Sequence, residues 1–244
     1  MKEKGKKNLY IGIILLVAFL LWTGAVRLVD VQQIGPQKSN VGFATINNLA
    51  HTLTGTHMCL YTLTDWLGLV PIVFAISFGI LGLIQWIKRK RISKVDFNIL
   101  VLGGFYIVVM AIYAVFEIFV VNYRPVLING CLEASYPSST TTLVICVMSS
   151  ALIQFNLRLK NSVLKKSVVF IIIAFVVFMV LGRLISGVHW VTDIIGGALI
   201  SASLVQMYKG VVSGYTKIED KFVEQYLTHD GETLEEAKKR LKNK

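Results

Sequence analysis

Six long apolar runs constrain the fold of this chain more than any other feature of its sequence. Several of these runs approach the roughly 20 residues that an α-helix needs to cross a bilayer. Lipid offers the backbone no hydrogen-bond partners, so runs of this kind cross a membrane as helices. Composition agrees, because 55% of the 244 residues are hydrophobic and only 16% are charged. The predicted spans are approximately 9–28, 65–87, 97–121, 138–156, 167–181 and 191–208.

These spans predict an all-α integral membrane bundle of six transmembrane helices over residues 1–208, followed by a soluble tail at 209–244. The first run lacks a small-x-small cleavage site after it, so we expect it to remain as an anchor. The middle of the polar connection after the first span, residues 41–63, is weakly amphipathic. We expect that segment to lie along the membrane surface.

The basic residues predict the orientation of the bundle. The net charge of +11 would suit nucleic acid, but 21 of the 25 Lys and Arg residues fall on one side of a six-span chain. Cytoplasmic loops carry such an excess. We therefore expect both termini and the tail to be cytoplasmic and no nucleic acid to be bound. The four cations left outside are Arg27, Lys38, Arg124 and Arg183.

The cysteines and the early histidines show no metal-binding spacing. Cys59 and Cys131 would both lie outside, where a disulfide between them is an open alternative to free thiols. His51 and His57 are six residues apart and have no third ligand nearby in the sequence. A zinc site needs three or four protein ligands, so we predict no metal here.

Three polar segments are predicted to meet at one outer edge of the membrane. Arg124 follows the third span, Pro137 and Ser138 open the fourth, and residues 183–193 connect the fifth and sixth. The last segment places His189 four residues before Asp193, which puts both on one face if a helix begins near residue 188. A carboxylate on one imidazole nitrogen fixes the tautomer and leaves the other free as a nucleophile or base. Arginine is suited to phosphate oxygens.

These segments resemble the three motifs of the type 2 phosphatidic acid phosphatase superfamily. The third motif is Ser-Arg, five residues, His, three residues, Asp, and this chain has Arg183, His189 and Asp193 in that spacing after Gly182. The resemblance covers about 97–208 and implies a phosphatase-like core there. It implies that His189 is the nucleophile that forms a phosphohistidine and that Asp193 orients it.

The other two motifs are altered. The first motif, Lys, six residues, Arg-Pro, has Arg124-Pro125 but Glu117 in the lysine position. The second motif, Pro-Ser-Gly-His, is present as Pro137-Ser138-Ser139-Thr140. The resemblance implies a phosphate cradle and requires no metal or cofactor. The residues implied to bind phosphate are Arg124, Arg183, Ser138 and Ser139.

Each departure has a chemical consequence. Thr140 stands where the family has a general acid, and a hydroxyl cannot protonate a leaving oxygen near neutral pH. A phosphate leaving from a diphosphate needs that proton much less than an alkoxide does. Glu117 lies two helical turns before Arg124, so the two side chains either pair or leave Glu117 to donate a proton itself.

The sequence therefore predicts a lipid phosphatase of the cell membrane, with its active site on the extracytoplasmic side. Its substrate is a lipid phosphate or diphosphate, and the altered second motif favours a polyprenyl diphosphate. Two alternatives stay open. One is a catalytically impaired relative that binds lipid phosphate or a partner protein, and the other is a phosphotransferase on the same scaffold.

A reporter fusion tests the predicted orientation. A reporter placed after Ile92 or Leu159 should be cytoplasmic, and one placed within 126–132 should be external, because the basic residues divide 21 to four across the membrane. The measurement is reporter activity or accessibility to an impermeant reagent. An external signal after Ile92 would contradict the orientation.

Overall fold

The computed structural model describes residues 3–226, Thr233 and Glu236, with side chains up to Tyr215 and at the last two residues. Helices make up most of this part of the chain, and its only β pairing is three isolated bridges, which confirms the all-α class. The helices are α1 (Glu3–Leu28), α2 (Ala44–Thr54), α3 (Met58–Leu67), α4 (Leu69–Arg89), α5 (Phe97–Ile118), α6 (Ser139–Arg158), α7 (Ser162–Ile185) and α8 (Val191–Tyr226).

Six helical segments in the described part are long and apolar enough to cross a membrane, as predicted. The second of them combines α3 and α4 as Met58–Arg89, so it begins earlier than the predicted start at 65. The two helices meet at Gly68. Pro71 explains the break, because it has no N–H to donate to the carbonyl of Leu67, one turn earlier.

The predicted surface segment forms α2 and the first part of α3. Helix α2 exposes Ile46, Leu49 and Leu53 and buries Asn47 against the bundle. This pattern is inverted relative to a helix on a soluble protein, whose apolar face turns inward. An apolar outer face is what a helix needs at the boundary between headgroups and acyl chains.

Helices α1 and α8 pack together more extensively than any other pair in the described part. Small residues make the approach close: a Cβ on Gly210 would lie 3.0 Å from the carbonyl oxygen of Gly5, and one on Gly12 would lie 2.6 Å from Cγ of Met207. Ser203 Oγ donates to the carbonyl of Gly12 over 2.8 Å. Small residues of this kind favour helix association in membranes, because an apolar side chain gains little by exchanging contact with lipid for contact with another helix.

The sixth span and the tail are not separated by a break in the helix. Helix α8 continues through the predicted boundary at 208 as far as Tyr226, and its segment Val191–Tyr215 is apolar enough to cross a membrane. Most of the predicted tail lies outside the described residues. All three cysteines lie inside them and are free thiols, so the alternative of a disulfide between Cys59 and Cys131 is wrong for this structure.

Candidate active site

One end of the bundle gathers the residues that the sequence singled out. The C-terminal ends of α5 and α7 and the starts of α6 and α8 lie at this end, together with α2 and α3. The fold brings Arg124, Arg183, His189 and Asp193 into one buried group, although the first of these is far from the others in sequence. Six antiparallel spans explain the meeting, because alternate loops return to the same edge.

Asp193 is the most completely surrounded of these residues. Its side chain is 0% exposed, and its carboxylate accepts three hydrogen bonds. Ser135 Oγ donates over 2.5 Å, Asn122 Nδ2 over 3.2 Å, and the backbone N–H of Trp190 over 3.0 Å. Trp190 immediately precedes α8, so the Asp193 carboxylate reaches back to it from the first turn in the manner of a capping box.

His189 contacts Asp193 through Ser135 and not directly. Ser135 Oγ lies 2.9 Å from His189 Nδ1 and gives its one proton to Asp193, so it accepts a hydrogen bond from Nδ1–H. The expectation that His189 and Asp193 share a helical face is wrong, because α8 begins at Val191 and leaves His189 in the preceding loop. The resulting chain holds Nδ1 protonated and leaves a lone pair on Nε2.

The unprotonated nitrogen of His189 accepts a hydrogen bond from a cation. Its Nε2 lies 3.4 Å from Nη1 of Arg124, and the imidazole is almost fully buried. Burial lowers the pKa of His189 well below 6.5, and the positive charges of Arg124 and Arg183 lower it further, while a hydrogen bond with the backbone of Ser135 opposes the shift. The imidazole is therefore neutral at physiological pH, as a nucleophile must be.

Arg124 is held by its own loop. Its Nε lies 3.0 Å from Oε2 of Glu133, and its backbone N–H donates to the carbonyl of the same residue over 3.0 Å. The predicted pairing with Glu117 is wrong, because α5 ends at Ile118 and the two residues no longer share a helical face. Glu117 is exposed at the end of α5.

Arg183 is anchored by three side chains. Its guanidinium donates to Thr140 Oγ1 over 2.7 Å and to Thr64 Oγ1 over 3.4 Å, and it lies 3.5 Å from a carboxylate oxygen of Asp65. The ring of Tyr61 lies 4.9 Å from this guanidinium. Thr140 of the altered second motif therefore accepts a hydrogen bond that holds Arg183 in place.

The two serines of the second motif have different environments. Ser138 is completely buried and caps α6, its Oγ accepting from the N–H of Thr141 over 3.4 Å. Its backbone N–H donates to the carbonyl of Asp193, which ties the start of α6 to α8. Ser139 is half-buried and lines the cleft that leads away from the site.

The His189 loop needs a glycine two residues before the imidazole. Gly187 has φ of +68°, and a Cβ there would lie 1.9 Å from the carbonyl oxygen of Gly55. His51 Nε2 lies 3.2 Å from the carbonyl oxygen of Gly187, and its ring packs on Trp190. His51 therefore supports the loop, and His57 contacts the carbonyl of Thr54.

An apolar cleft of about 600 Å³ extends from the site between α4, α5 and α6. Ser135 and Thr140 line its inner end. Leu69, Ile76 and Met110 line its sides and are exposed on the outer surface of α4 and α5. The cleft therefore opens sideways, toward the region that lipid chains occupy around a membrane bundle.

Sequence reasoning missed several residues that build this site. Ser135 and Asn122 hold Asp193, and Asp65, Thr64 and Tyr61 surround Arg183. Only Ser135 carried a sequence signal, since it precedes the second motif by two residues. The others lie in separate segments, and only the packing of the chain brings them to the site.

Comparison with known proteins agrees with this geometry. Residues 98–215 match the sequence profile of the PAP2 superfamily. Among solved structures, the chain is similar to the crystal structure of a transmembrane PAP2 type phosphatidylglycerolphosphate phosphatase from Bacillus subtilis. The TM-score is 0.58 and the identity 19%, over 86% of this chain and 97% of that one, which establishes the shared fold. No curated protein sequence matches the chain significantly.

The buried neutral imidazole predicts how stability depends on pH. The folded-state pKa of His189 lies below its unfolded value near 6.5, so below that pH the unfolded chain binds a proton that the folded chain does not. As the pH decreases below about 6.5, the stability of the unmodified protein should therefore fall relative to that of His189→Gln. Thermal unfolding in detergent measures the effect, and His57→Gln, at an exposed position, is the control. Equal slopes in His189→Gln and the unmodified protein would contradict it.

Proposed function

Because residues 98–215 match the PAP2 superfamily, we propose that this protein is a membrane lipid phosphatase in which His189 is the nucleophile. The observation that carries the proposal is the orientation of one imidazole. Its Nδ1 is held by Ser135, while its Nε2 faces Arg124 at 3.4 Å. In the free protein this Nε2 accepts a long hydrogen bond from Arg124. A bound phosphate would take over that guanidinium and leave the lone pair of the neutral ring available to attack phosphorus.

The reaction would proceed in two steps. In the first, Nε2 of His189 bonds to phosphorus, and the bond from phosphorus to the leaving oxygen breaks with its electron pair. The ring then carries a positive charge and keeps its proton on Nδ1, and the buried carboxylate of Asp193 stabilises that charge through Ser135. In the second step, water attacks phosphorus, the bond to Nε2 breaks, and inorganic phosphate leaves with the water protons.

Two arginines would hold the phosphate. Arg124 and Arg183 approach the same ring of Tyr61, at 6.0 Å and 4.9 Å from its centre. In the free protein each is paired with a carboxylate, Arg124 with Glu133 and Arg183 with Asp65. Both carboxylates are partly exposed, so a phosphate can replace them by forming charge-assisted hydrogen bonds to the arginines.

The leaving group decides which lipid this site would favour. Thr140 is engaged by Arg183 and has no acidic proton to give. Loss of a general acid costs roughly 10²- to 10⁴-fold when the leaving group needs a proton. A phosphate departing from a diphosphate is already a stabilised anion, so a polyprenyl diphosphate suits this site better than a monoester. Glu117 lines the cleft and is the alternative proton donor.

Two other activities fit the same scaffold. In the first, the protein would bind lipid phosphate through its arginines but would not hydrolyse it. The engagement of Thr140 by Arg183 favours this alternative, because Thr140 then offers no proton to a leaving group. In a phosphotransferase, an alcohol would replace water in the second step. Measuring binding, release and transfer on the same protein separates the three.

Phosphate release from two lipids tests the proposal. Purified protein should release phosphate from a polyprenyl diphosphate faster than from phosphatidic acid by about 10²-fold, and His189→Ala should abolish both. His57→Ala is the matched control, since the His57 ring bonds to the nearby Thr54 carbonyl and the substitution keeps the backbone N–H that donates to Ser186. Release that persists in His189→Ala would overturn the mechanism. Equal rates on the two lipids would refute the leaving-group argument.

Substitution at Ser135 tests the link between His189 and Asp193. A hydrogen bond to a charged group contributes about 1.5–3 kcal/mol, so Ser135→Ala should lower kcat by about 10- to 100-fold. KM should change little, because Ser135 does not hold the phosphate, and Ser135→Thr should restore part of the rate. Ser77→Ala, on an exposed face of α4, is the control. A loss confined to KM would contradict the positioning role.

A further inference from the structure

A carboxylate on α3, outside the residues that match the superfamily, lies against one of the two arginines. Asp65 Oδ1 is 3.5 Å from Nη2 of Arg183, and the same nitrogen donates to Thr140 Oγ1 over 2.7 Å. One guanidinium nitrogen thus joins Asp65 to the residue that stands where the family has a general acid. The Asp65 side chain is 60% exposed and lines the cleft, as Thr140 does, so a bound reactant can reach it.

A second departure from the family motifs lets α3 come this close to α7. Gly182 stands where the third motif has serine, and a Cβ at this position would lie 2.7 Å from Cγ2 of Thr64. Thr64 is completely buried, and its hydroxyl bonds both to Arg183 and to the backbone of its own helix. Thr64 therefore has no space into which to move, and Gly182 allows α3 to bring Asp65 to Arg183.

The second step of the proposed reaction needs a base on the cleft side of the phosphate. In an in-line displacement, the entering water takes the position that the leaving group has vacated, opposite Nε2 of His189. The lipid leaving group departs into the apolar cleft, so the water enters from there. Among the described residues, the carboxylates that line the cleft are Asp65 and Glu117. Glu117 contacts Tyr113 of its own helix, whereas Asp65 reaches Arg183.

We propose that Asp65 is the general base that activates water in the second step. The inference rests on the proposed function for the nucleophile and for the position of the phosphate. A phosphoryl group bound to Arg183 displaces the Asp65 carboxylate and leaves it beside the entering water. As the water oxygen bonds to phosphorus, one water proton passes to Asp65. The bond from phosphorus to Nε2 breaks with its electron pair, which leaves His189 neutral. Inorganic phosphate takes the proton back as it leaves, and Asp65 pairs with Arg183 again.

Asp65 is suited to accept a proton and not to give one. An aspartate that is paired with an arginine is a carboxylate, which has acceptor oxygens and no proton to donate. The first step therefore still lacks a general acid, in agreement with the preference for a diphosphate, whose leaving phosphate needs none. Asp65 supplies proton transfer only in the second step, where Thr140 cannot.

Trapping the intermediate tests this assignment. The probe is a polyprenyl diphosphate labelled in its terminal phosphate. Asp65→Asn should complete the first step once and then stall, because an amide cannot take the water proton. Polyprenyl phosphate should appear in an initial burst equal to the amount of protein, and the label should accumulate on His189. Steady-state phosphate release should fall by about 10²- to 10⁴-fold.

Three further variants define the role of the carboxylate. Asp65→Ala should stall in the same way, and added formate should restore release of the label, because a small carboxylate can enter this exposed position. The same experiment decides if Asp65→Asn does not fold. Glu117→Gln removes the other carboxylate of the cleft and should accumulate no label. Asp30→Asn is the matched control, since Asp30 is exposed, accepts from the N–H of Thr45 and does not line the cleft.

The outcomes separate this assignment from the proposed function. If the unmodified protein releases phosphate and Asp65→Asn does so equally fast, or more slowly without a burst, the assignment is overturned and the phosphatase stands. A loss without a burst would mean that Asp65 only holds Arg183. Accumulation of label in Glu117→Gln, or a stalled Asp65→Ala that formate does not restore, would also overturn it. If the unmodified protein releases no phosphate, the proposed function fails and this assignment fails with it.

Discussion

A buried carboxylate determines the arrangement of the whole site. Asp193 is 0% exposed, and a charge removed from water in this way must have its hydrogen bonds satisfied by the protein. Its three donors come from different places: Asn122 and Ser135 from the two ends of the α5–α6 loop, and Trp190 from the start of α8. The hydrogen bonds to the Asp193 carboxylate therefore hold the α5–α6 loop against the start of α8. The same closure brings Arg124 to His189.

Local regularities of the sequence predicted much of this structure. The six spans followed from length and hydropathy, because crossing lipid imposes the same requirement on every segment. The positions of Arg183, His189 and Asp193 followed from their spacing. Asn122 and Tyr61 could not be predicted in this way, since each lies in a loop or helix whose contacts with the site depend on how the whole chain packs.

The wrong predictions share a physical cause, which is where helices end. Glu117 and Arg124 are two turns apart only if α5 continues, but it stops at Ile118 and Arg124 pairs with Glu133. His189 and Asp193 share a face only if α8 starts earlier than Val191. In the first case a loop contact, the Arg124–Glu133 pair, forms in place of a longer α5. In the second, the Asp193 carboxylate caps the start of α8 at the N–H of Trp190. Thr140 shows the related limit of motif comparison: the altered residue accepts a hydrogen bond from Arg183 of the third motif, a contact that the motif sequences do not specify.

Because the cleft opens sideways, the concentration that matters for binding is that of the ligand within the bilayer. Leu69, Ile76 and Met110 line the cleft and are exposed on the outer surface of the bundle, so a ligand that uses this opening arrives by lateral diffusion in the bilayer. The encounter rate then depends on the mole fraction of substrate among the surrounding lipids, and the bulk molarity has no direct role. Adding inert lipid or detergent dilutes such a ligand in two dimensions even when its total amount is unchanged. The other membrane lipids become competitors for the same opening, so membrane composition sets the occupancy of the cleft.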